Sequence, residues 1–304
     1  MSFYGKYPEV PDLNNLAELI SQYSQFQPEL GSKGIESLLN ETEEMMKSQL
    51  EKLKALSIDE RLEQSEPDSL NMIKKLRPEG PRRIWQNLDE DIYTQKLEGA
   101  LYARLAGCIL GSIVEFWSVE EMEKWAKHIG DAFPPTNYWT KALKPYNLRY
   151  QLSKRSEYTL DGMDGCPVDD DIIYTLLGLL IVEDHGIDFN VDDTAKAWQK
   201  YLPYACTAEE IALNNIKKGI KPSLVGDIDN PCNQWIGADI RSDPFAYIAP
   251  GYPEKAAAMA YNDAYLSHRR NGIYGEMFFA AAQSAAFAVD NPIDALKIGL
   301  SEIP

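Results

Sequence analysis

The stretch that most constrains the fold is the run from Ile172 to Val182, which would be apolar on every face of a helix. A helix without a polar face is normally buried, so this run predicts a central helix around which others pack. Asp169, Asp170 and Asp171 stand directly before it. One or two aspartates would serve as an N-cap or as partners of the helix dipole. The third favours a divalent-cation site, because hard cations take carboxylate oxygens as ligands.

The composition excludes several classes of protein. In 304 residues, 44% are hydrophobic and 25% charged, as in ordinary soluble globular proteins of one or two domains. The net charge of −17 argues against a nucleic-acid-binding surface, which needs a basic footprint. We find neither a signal-peptide pattern nor an apolar run of membrane-spanning length. The four cysteines are widely spaced and include no CxxC pair, so we expect reduced thiols and a cytoplasmic protein.

The chain indicates helices throughout. Residues 1–90 are predicted to form a helical N-terminal extension, with candidate helices at 13–23, 40–55 (capped by Asn40) and 62–76, and with a minority alternative of a partner-binding arm. Residues 91–304 are predicted to form a compact multi-helix domain. No segment shows the alternation of a β-strand bounded by turns, so the predicted fold class is all-α.

Small residues recur every four positions in the first long helix of this domain. Gly99, Ala103, Gly107 and Gly111 would form a ridge that lets another helix approach closely. Each interior glycine costs about 1 kcal/mol relative to alanine, so tight packing is expected to offset the loss. Glu115 would then lie at the C-terminal end of this helix, where the dipole disfavours a carboxylate. That position favours a functional reason for Glu115.

Cap residues predict several helix boundaries, and one long loop stands out. The cap predictions are Ser118 as an N-cap, Gly186 as a left-handed C-cap, Asp192 and Asp193 as cap and dipole residues rather than a metal motif, and Thr207 with Glu210 as a capping box. The irregular stretch 221–251 is rich in Gly, Pro, Asn and Asp. A loop of this length inside a compact domain is typical of a functional site.

Four motifs follow one another between Asp91 and Pro304. They are Leu97 to Glu115, Val168 to Thr175, Gly237 to Pro250 and Asp263 to His268. In this order they resemble the ADP-ribosylglycohydrolase family. They are similar to its first helix with the glutamate that follows, its Thr-Asp-Asp-Thr metal motif, its ADP-ribose-binding loop and its helix-borne Ser/Thr-His element.

The resemblance implies an all-helical fold with two Mg²⁺ or Mn²⁺ ions in a central cleft. Such enzymes hydrolyse the bond between the ribose anomeric carbon and a modified group, and they release ADP-ribose. The expected partner is therefore an ADP-ribosylated protein or a small-molecule ADP-ribose conjugate. Carboxylates and a metal-held water suit this reaction, because positive charge develops on the sugar.

The metal and catalytic residues are assigned by the same resemblance. Asp169 and Asp170 match the paired metal ligands of the family. Asp171 stands where the family often has threonine, another potential ligand, whereas Val168 replaces a hydroxyl residue. Glu115 matches the glutamate near the metals and the scissile bond. We therefore expect Glu115 and Asp170 to take part in catalysis.

The substrate residues are assigned by resemblance to the binding loop. Gly237, Asp239 and Arg241 lie on that loop, and His268 lies on the neighbouring helix. A loop of this kind could hold a diphosphate through backbone N–H groups. Two alternatives stay open: Arg241 is equally well explained as a structural salt-bridge partner, and His268 as a core histidine.

The family's second acidic motif, Asp-x-Asp-Thr, has no match after His268. Asp227 and Asp229 have the spacing but precede the binding loop. We therefore expect a fragment, or a member that has lost half of the metal site, with one cation bound at best. Two other functions compete with the hydrolase: a non-enzymatic ADP-ribose-binding relative, and a different metal hydrolase such as a phosphohydrolase. The second ranks last, because that class leans on histidine ligands and the chain has three histidines.

Overall fold

The computed structural model describes residues 9–304. The chain divides into two compact units between Glu60 and Arg61. Within the described part, no helix has both the length and the apolar character that crossing a membrane requires.

The first unit contains two long helices. They are α1 (Leu13–Phe26) and α2 (Ile35–Lys54), with a 3₁₀ turn at Gln27–Leu30 between them. The predicted helix at Leu13 is confirmed. The predicted cap at Asn40 is wrong: α2 begins after Gly34, whose φ of 82° suits a residue without Cβ, and Asn40 lies inside the helix. Neither helix has a buried residue.

From Glu60 onward the described chain forms eleven α-helices and one β-hairpin. The elements are α3 (Glu60–Ser65), α4 (Leu70–Leu76), α5 (Glu90–Ser112), α6 (Val119–Ile129), β1 (Leu148–Arg149), β2 (Ser153–Lys154), α7 (Asp170–His185), α8 (Val191–Tyr201), α9 (Thr207–Lys217), α10 (Asp243–Ile248), α11 (Pro253–Ala264), α12 (Asn271–Ala286) and α13 (Pro292–Leu300). The two strands pair antiparallel, with Leu148 opposite Lys154. The all-α prediction is confirmed.

The main core lies among α7, α8, α9, α10, α11 and α12. Its largest members include Trp198, Phe245 and Met259, all fully or almost fully buried. The buried alanines of α11, such as Ala256 and Ala260, let α11 and α12 pack closely, because small side chains allow helix axes to approach. A second, smaller core joins the end of α5 to α6 and to the loop that precedes the hairpin.

Helix α7 is central but not buried on every side. Its residues Leu177 and Ile181 are buried in the main core. On the opposite face, Ile173, Leu176 and Leu179 are 40%, 51% and 38% exposed. The prediction of a fully buried helix is therefore wrong for this face, which no described element covers completely.

The small-residue ridge of α5 faces open space. A Cβ atom added at Gly99, Gly107 or Gly111 would meet no heavy atom within 4 Å. The predicted close approach of a second helix to this ridge is therefore wrong. Gly107, Gly111 and Ala103 instead line a cleft. Their small size keeps that cleft wide.

Replacing Gly99 by alanine is expected to raise the free energy of unfolding by about 0.5–1 kcal/mol, the helix-propensity difference between the two residues. Urea unfolding of the variant and the wild type measures the change. Gly178→Ala is the matched control and should destabilise, because its Cβ would lie 2.3 Å from Cγ of Pro244. A loss of stability in Gly99→Ala would mean that the ridge is packed after all.

The predicted cap of α6 and the interpretation of Asp192 and Asp193 as cap and dipole residues are confirmed. Ser118 and Glu121 form a capping box at the start of α6, in which each side chain accepts from the other's backbone N–H. At the start of α8, Asn190 is the N-cap and its partner in a second capping box is Asp193. Asp192 and Asp193 both lie in the first turn of α8, so they are cap and dipole residues as predicted.

Two other cap predictions are wrong. Gly186 ends α7 with φ 80° and ψ 175°, which lies outside the left-handed helical region. Thr207 is not an N-cap, because α9 begins at Thr207 itself and its cap position is Cys206, which makes no side-chain cap bond. The Thr207 hydroxyl instead lies 3.4 Å from Oε2 of Glu209.

Candidate functional site

The acidic triplet lies at the start of α7. Asp169 is the N-cap of that helix and is 4% exposed. Its Oδ1 accepts from the backbone N–H of Asp171 at 3.2 Å, and its Oδ2 accepts from Oγ of Ser112 at 2.9 Å. Asp169 therefore caps α7 and at the same time contacts the end of α5.

An open cavity of about 470 Å³ lies beside the triplet. The small residues of α5, among them Gly107 and Gly111, form one side, and Asp169 and Asp171 belong to its lining. Glu115 also lines it. Helix α5 ends at Ser112, so Glu115 follows the helix rather than closing its last turn. The structure thus brings Glu115, Asp169 and Asp171 to one cleft, whereas Asp170, also predicted as a catalytic and metal residue, does not line it.

The β-hairpin contributes two residues that were not predicted from the sequence. Arg149 Nη1 donates to Oε2 of Glu115 at 2.7 Å, and its Nη2 lies 3.4 Å from Oδ2 of Asp169. The hydroxyl of Tyr150 donates to Oδ1 of Asp170 at 2.6 Å. Arg149 therefore bridges Glu115 and the triplet, while Tyr150 fixes the side chain of Asp170.

Arg104 is a third residue missed from the sequence. It lies on α5, with a guanidinium nitrogen 3.4 Å from Oδ1 of Asp171 and another 2.9 Å from Oδ2 of Asp243. It also donates to the carbonyl of Ile240 at 2.7 Å. Arg104 therefore connects the acidic triplet with the predicted substrate loop.

On that loop, Arg241 lies at the centre of a buried ion cluster. It is 2% exposed and belongs to a 3₁₀ segment, Ile236–Arg241. Its guanidinium contacts Asp263 at 2.6 Å, Glu209 at 2.8 Å and Glu276 at 3.3 Å. These contacts support the structural alternative for Arg241. A direct contact with substrate stays a prediction.

His268 and Gly237 both lie next to Glu209, which belongs to the same cluster. His268 is fully buried, with Nδ1 2.8 Å from Oγ of Ser267. Burial and the charges of Arg241 and Arg269 lower its pKa well below the ordinary value, so the imidazole is neutral and its 3.9 Å approach to Glu209 is no ion pair. A Cβ on Gly237 would lie 2.4 Å from Oε1 of Glu209. A side chain at this position would therefore displace the buried Glu209 carboxylate, which contacts Arg241 at 2.8 Å.

Asp239 is the most accessible charged residue among the predicted substrate residues. It is half-buried, and a Cβ on Gly275 of α12 would lie 2.0 Å from its Oδ1. Burial raises the pKa of Asp239 to about 6, an effect that the charge of Arg241 opposes. The predicted residues thus form two neighbouring groups, one at the acidic triplet and one around Glu209.

The match to a family model decides the classification. The ADP-ribosylglycohydrolase model matches residues 89–304. The chain belongs to the ADP-ribosylglycohydrolase family. No curated protein and no solved structure matches the chain. The resemblance carried by the four sequence motifs is therefore confirmed at the level of the family, and the match begins at the N-cap of α5, Asp89.

Members of this family are in general metal-dependent. The ligand atoms of the cleft can therefore be compared with those that a divalent cation prefers. Cys108, Asp169 and Asp171 each offer a ligand atom, and these atoms lie within 4.8 Å of one another. In residues 9–304 this is the one such group of three or more. Its two carboxylates and one thiol fit a single ion. The side chain of Asp170 lies outside the group and is hydrogen-bonded to Tyr150.

The electrostatics of the cleft favour an added positive charge. Burial raises the pKa of Asp171 to about 6, with Asp169 and Asp170 adding to the effect and Arg104 opposing it. Burial also raises the pKa of Asp169. A raised pKa means that the surroundings disfavour the ionised form of a carboxyl group. A cation bound between the two carboxylates would stabilise that form. The cleft is therefore chemically suited to one divalent cation.

Proposed function

We propose that this family member is a metal-assisted hydrolase that cleaves the anomeric bond of an ADP-ribosylated protein or small molecule and releases ADP-ribose. The observation that carries the proposal is the convergence of Glu115, Asp169 and Asp171 on one open cleft. In the reaction, the bond between the anomeric carbon and the leaving group breaks, the hydroxyl group of water adds to that carbon, and the remaining proton, taken up first by a general base, ends on the leaving group. Because the sugar becomes positively charged on the way, carboxylates beside it stabilise the transition state.

Two carboxylates would hold the cation in this proposal, Asp169 and Asp171. A divalent cation bound there would supply Lewis-acid polarisation and lower the pKa of water. Glu115 would accept the proton of the attacking water, since its carboxylate is exposed at the cleft. Arg149 keeps that carboxylate in place through its 2.7 Å hydrogen bond. Tyr150 holds Asp170 in the same way.

The substrate loop would bind the diphosphate beside this centre. Backbone N–H groups of the segment around Gly237 and Asp239 are the proposed donors. Arg241 and His268 would support the loop from its buried side, because both are almost completely buried. Arg104 would hold the loop and the triplet in fixed relative positions, because it contacts both the carbonyl of Ile240 and Asp171.

A non-enzymatic ADP-ribose-binding relative is the second candidate. One observation favours it: Arg149 and Tyr150 already engage Glu115, Asp169 and Asp170. In a binding protein these contacts would persist with ligand present. A cytoplasmic location is proposed for both candidates from the cysteine pattern alone.

The test is the release of free ADP-ribose from modified proteins and small conjugates, followed by chromatography with and without a divalent cation. Glu115→Gln is expected to lower turnover by about 10²–10⁴-fold, the usual contribution of a general base. Cation binding should survive, because Glu115 is outside the ligand group. Glu120→Gln, on an exposed residue of α6, is the matched control and should leave turnover unchanged. Binding of ADP-ribose without any turnover would favour the second candidate.

A further inference from the structure

Cys108 is the least expected member of the ligand group. It lies on the cleft side of α5, one helical turn before Ser112, and it takes part in no disulfide. The same Ser112 hydroxyl lies 2.5 Å from the Cys108 carbonyl and 2.9 Å from Asp169 Oδ2, so this turn of α5 is held directly against the triplet. On this turn the sulfur lies within 4.8 Å of a carboxylate oxygen of each of Asp169 and Asp171.

We propose that the Cys108 sulfur is the third protein ligand of this cation site, and that the site takes a borderline divalent cation such as Zn²⁺ in preference to Mg²⁺. The inference adds to the proposed function. It rests on that function in one respect only, namely that the site uses a cation. The family resemblance implies Mg²⁺ or Mn²⁺, and the thiol beside Asp169 and Asp171 is what sets this chain apart from that expectation.

The selectivity follows from ligand chemistry. Thiolate is a soft ligand that binds Zn²⁺, Co²⁺ and Cd²⁺ well, whereas Mg²⁺ requires oxygen ligands in near-octahedral geometry and gives up its water reluctantly. As the cation binds, the thiol releases its proton to solvent and the sulfur becomes a ligand. Three protein ligands also leave one position of a tetrahedral zinc ion open, which is the arrangement of catalytic zinc sites.

The charges around the group are compatible with a divalent cation. A thiolate and two carboxylates carry three negative charges, one more than the cation balances. Arg104 near Asp171 and Arg149 near Asp169 lie at 3.4 Å and reduce the excess. Each arginine also pairs more closely with another carboxylate, Arg104 with Asp243 at 2.9 Å and Arg149 with Glu115 at 2.7 Å, so the surroundings of the group are not too positive to admit the cation.

Cys166 provides a matched control close to the triplet in the sequence. It is an exposed cysteine three residues before Asp169, and it lies outside the ligand group. Replacing it by serine makes the same chemical change as at Cys108 without touching the proposed ligand. Binding of a metal to an unrelated surface thiol would therefore be detected.

The experiment titrates the full, metal-free chain with Co²⁺ and records the thiolate-to-cobalt charge-transfer absorption in the near ultraviolet. Wild type and Cys166→Ser should develop the band, and Cys108→Ser should not. Calorimetry should show Zn²⁺ binding to Cys108→Ser weakened by at least about tenfold, the minimum that loss of even an outer partner of a metal ligand produces. Mg²⁺ binding should change little. Cys108→Asp should shift the preference toward Mg²⁺, because the third ligand becomes an oxygen.

Several outcomes would overturn the proposal. They are a charge-transfer band that persists in Cys108→Ser, equal Zn²⁺ affinities of that variant and the wild type, or tighter binding of Mg²⁺ than of Zn²⁺ to the wild type. Thermal unfolding without metal checks that each variant is folded. Were Cys108→Ser unfolded, competition on the wild type would decide, since stoichiometric Mg²⁺ must fail to abolish the cobalt band. None of these measurements uses a substrate, so the metal assignment can fail while the hydrolase stands.

Discussion

Replacing Arg241 by glutamine is expected to lower the free energy of unfolding by about 3–5 kcal/mol, the usual effect of removing one partner from a buried ion pair. The guanidinium is 2% exposed and contacts three acidic side chains. Glutamine keeps part of the volume and two donors but loses the charge. Three buried carboxyl groups would then face one another without it.

The protonation of the cluster supports this expectation. Burial and the nearby charge of Asp263 raise the pKa of Glu276 well above its ordinary value, and burial also raises the pKa of Glu209. The pKa of Arg241 itself is raised, since the carboxylates outweigh the opposing effect of burial. The cluster is therefore built around a permanent positive charge that no neutral side chain replaces.

Urea unfolding of Arg241→Gln and the wild type measures the loss. The matched control is Arg83→Gln at an exposed arginine, where the loss should stay below about 1 kcal/mol. A variant with nearly unchanged stability and abolished ADP-ribose binding would contradict the structural role. It would restore Arg241 as a direct substrate contact.

Much of the fold could be predicted because its signals are local. The apolar periodicity and cap residues of α6 and α8 lie within a few positions of each other: Ser118 caps α6 as predicted, and Asp192 and Asp193 lie in the first turn of α8. The ridge of α5 shows the limit of such reasoning. Spacing identifies Gly107 and Gly111 as one face of a helix, but it does not tell what lies opposite, and here a cleft does.

The candidate site was predictable in part for the same reason. Asp169, Asp170 and Asp171 are adjacent in sequence and their carboxylates stand out at the start of a helix. Arg149 was missed because a strand of two residues leaves no alternation to recognise. The two interpretations of Arg241 could not be separated from the sequence, because its partners stand up to 35 positions away and only the fold brings them together.

Asp169→Asn is expected to abolish cation binding and to lower turnover by about 10²–10³-fold or more, because a bound cation contributes several kcal/mol to the transition state. Asp169 is both a proposed ligand and the N-cap of α7. Asparagine caps a helix about as well as aspartate, and its carbonyl oxygen can still accept from the backbone N–H of Asp171. The variant therefore removes the ligand charge while it preserves the cap.

Three measurements separate the two roles: calorimetric cation titration, release of ADP-ribose and urea unfolding. The unfolding free energy should change by less than about 1 kcal/mol, since losing the cap bond is what costs stability at such positions. Asp192→Asn, at an exposed first-turn aspartate of α8, should change none of the three. If Asp169→Asn were strongly destabilised yet still bound the cation, the aspartates would be helix caps and no more. Retained stability with lost cation binding would show that the triplet exceeds what a helix start needs because its carboxylates hold an ion.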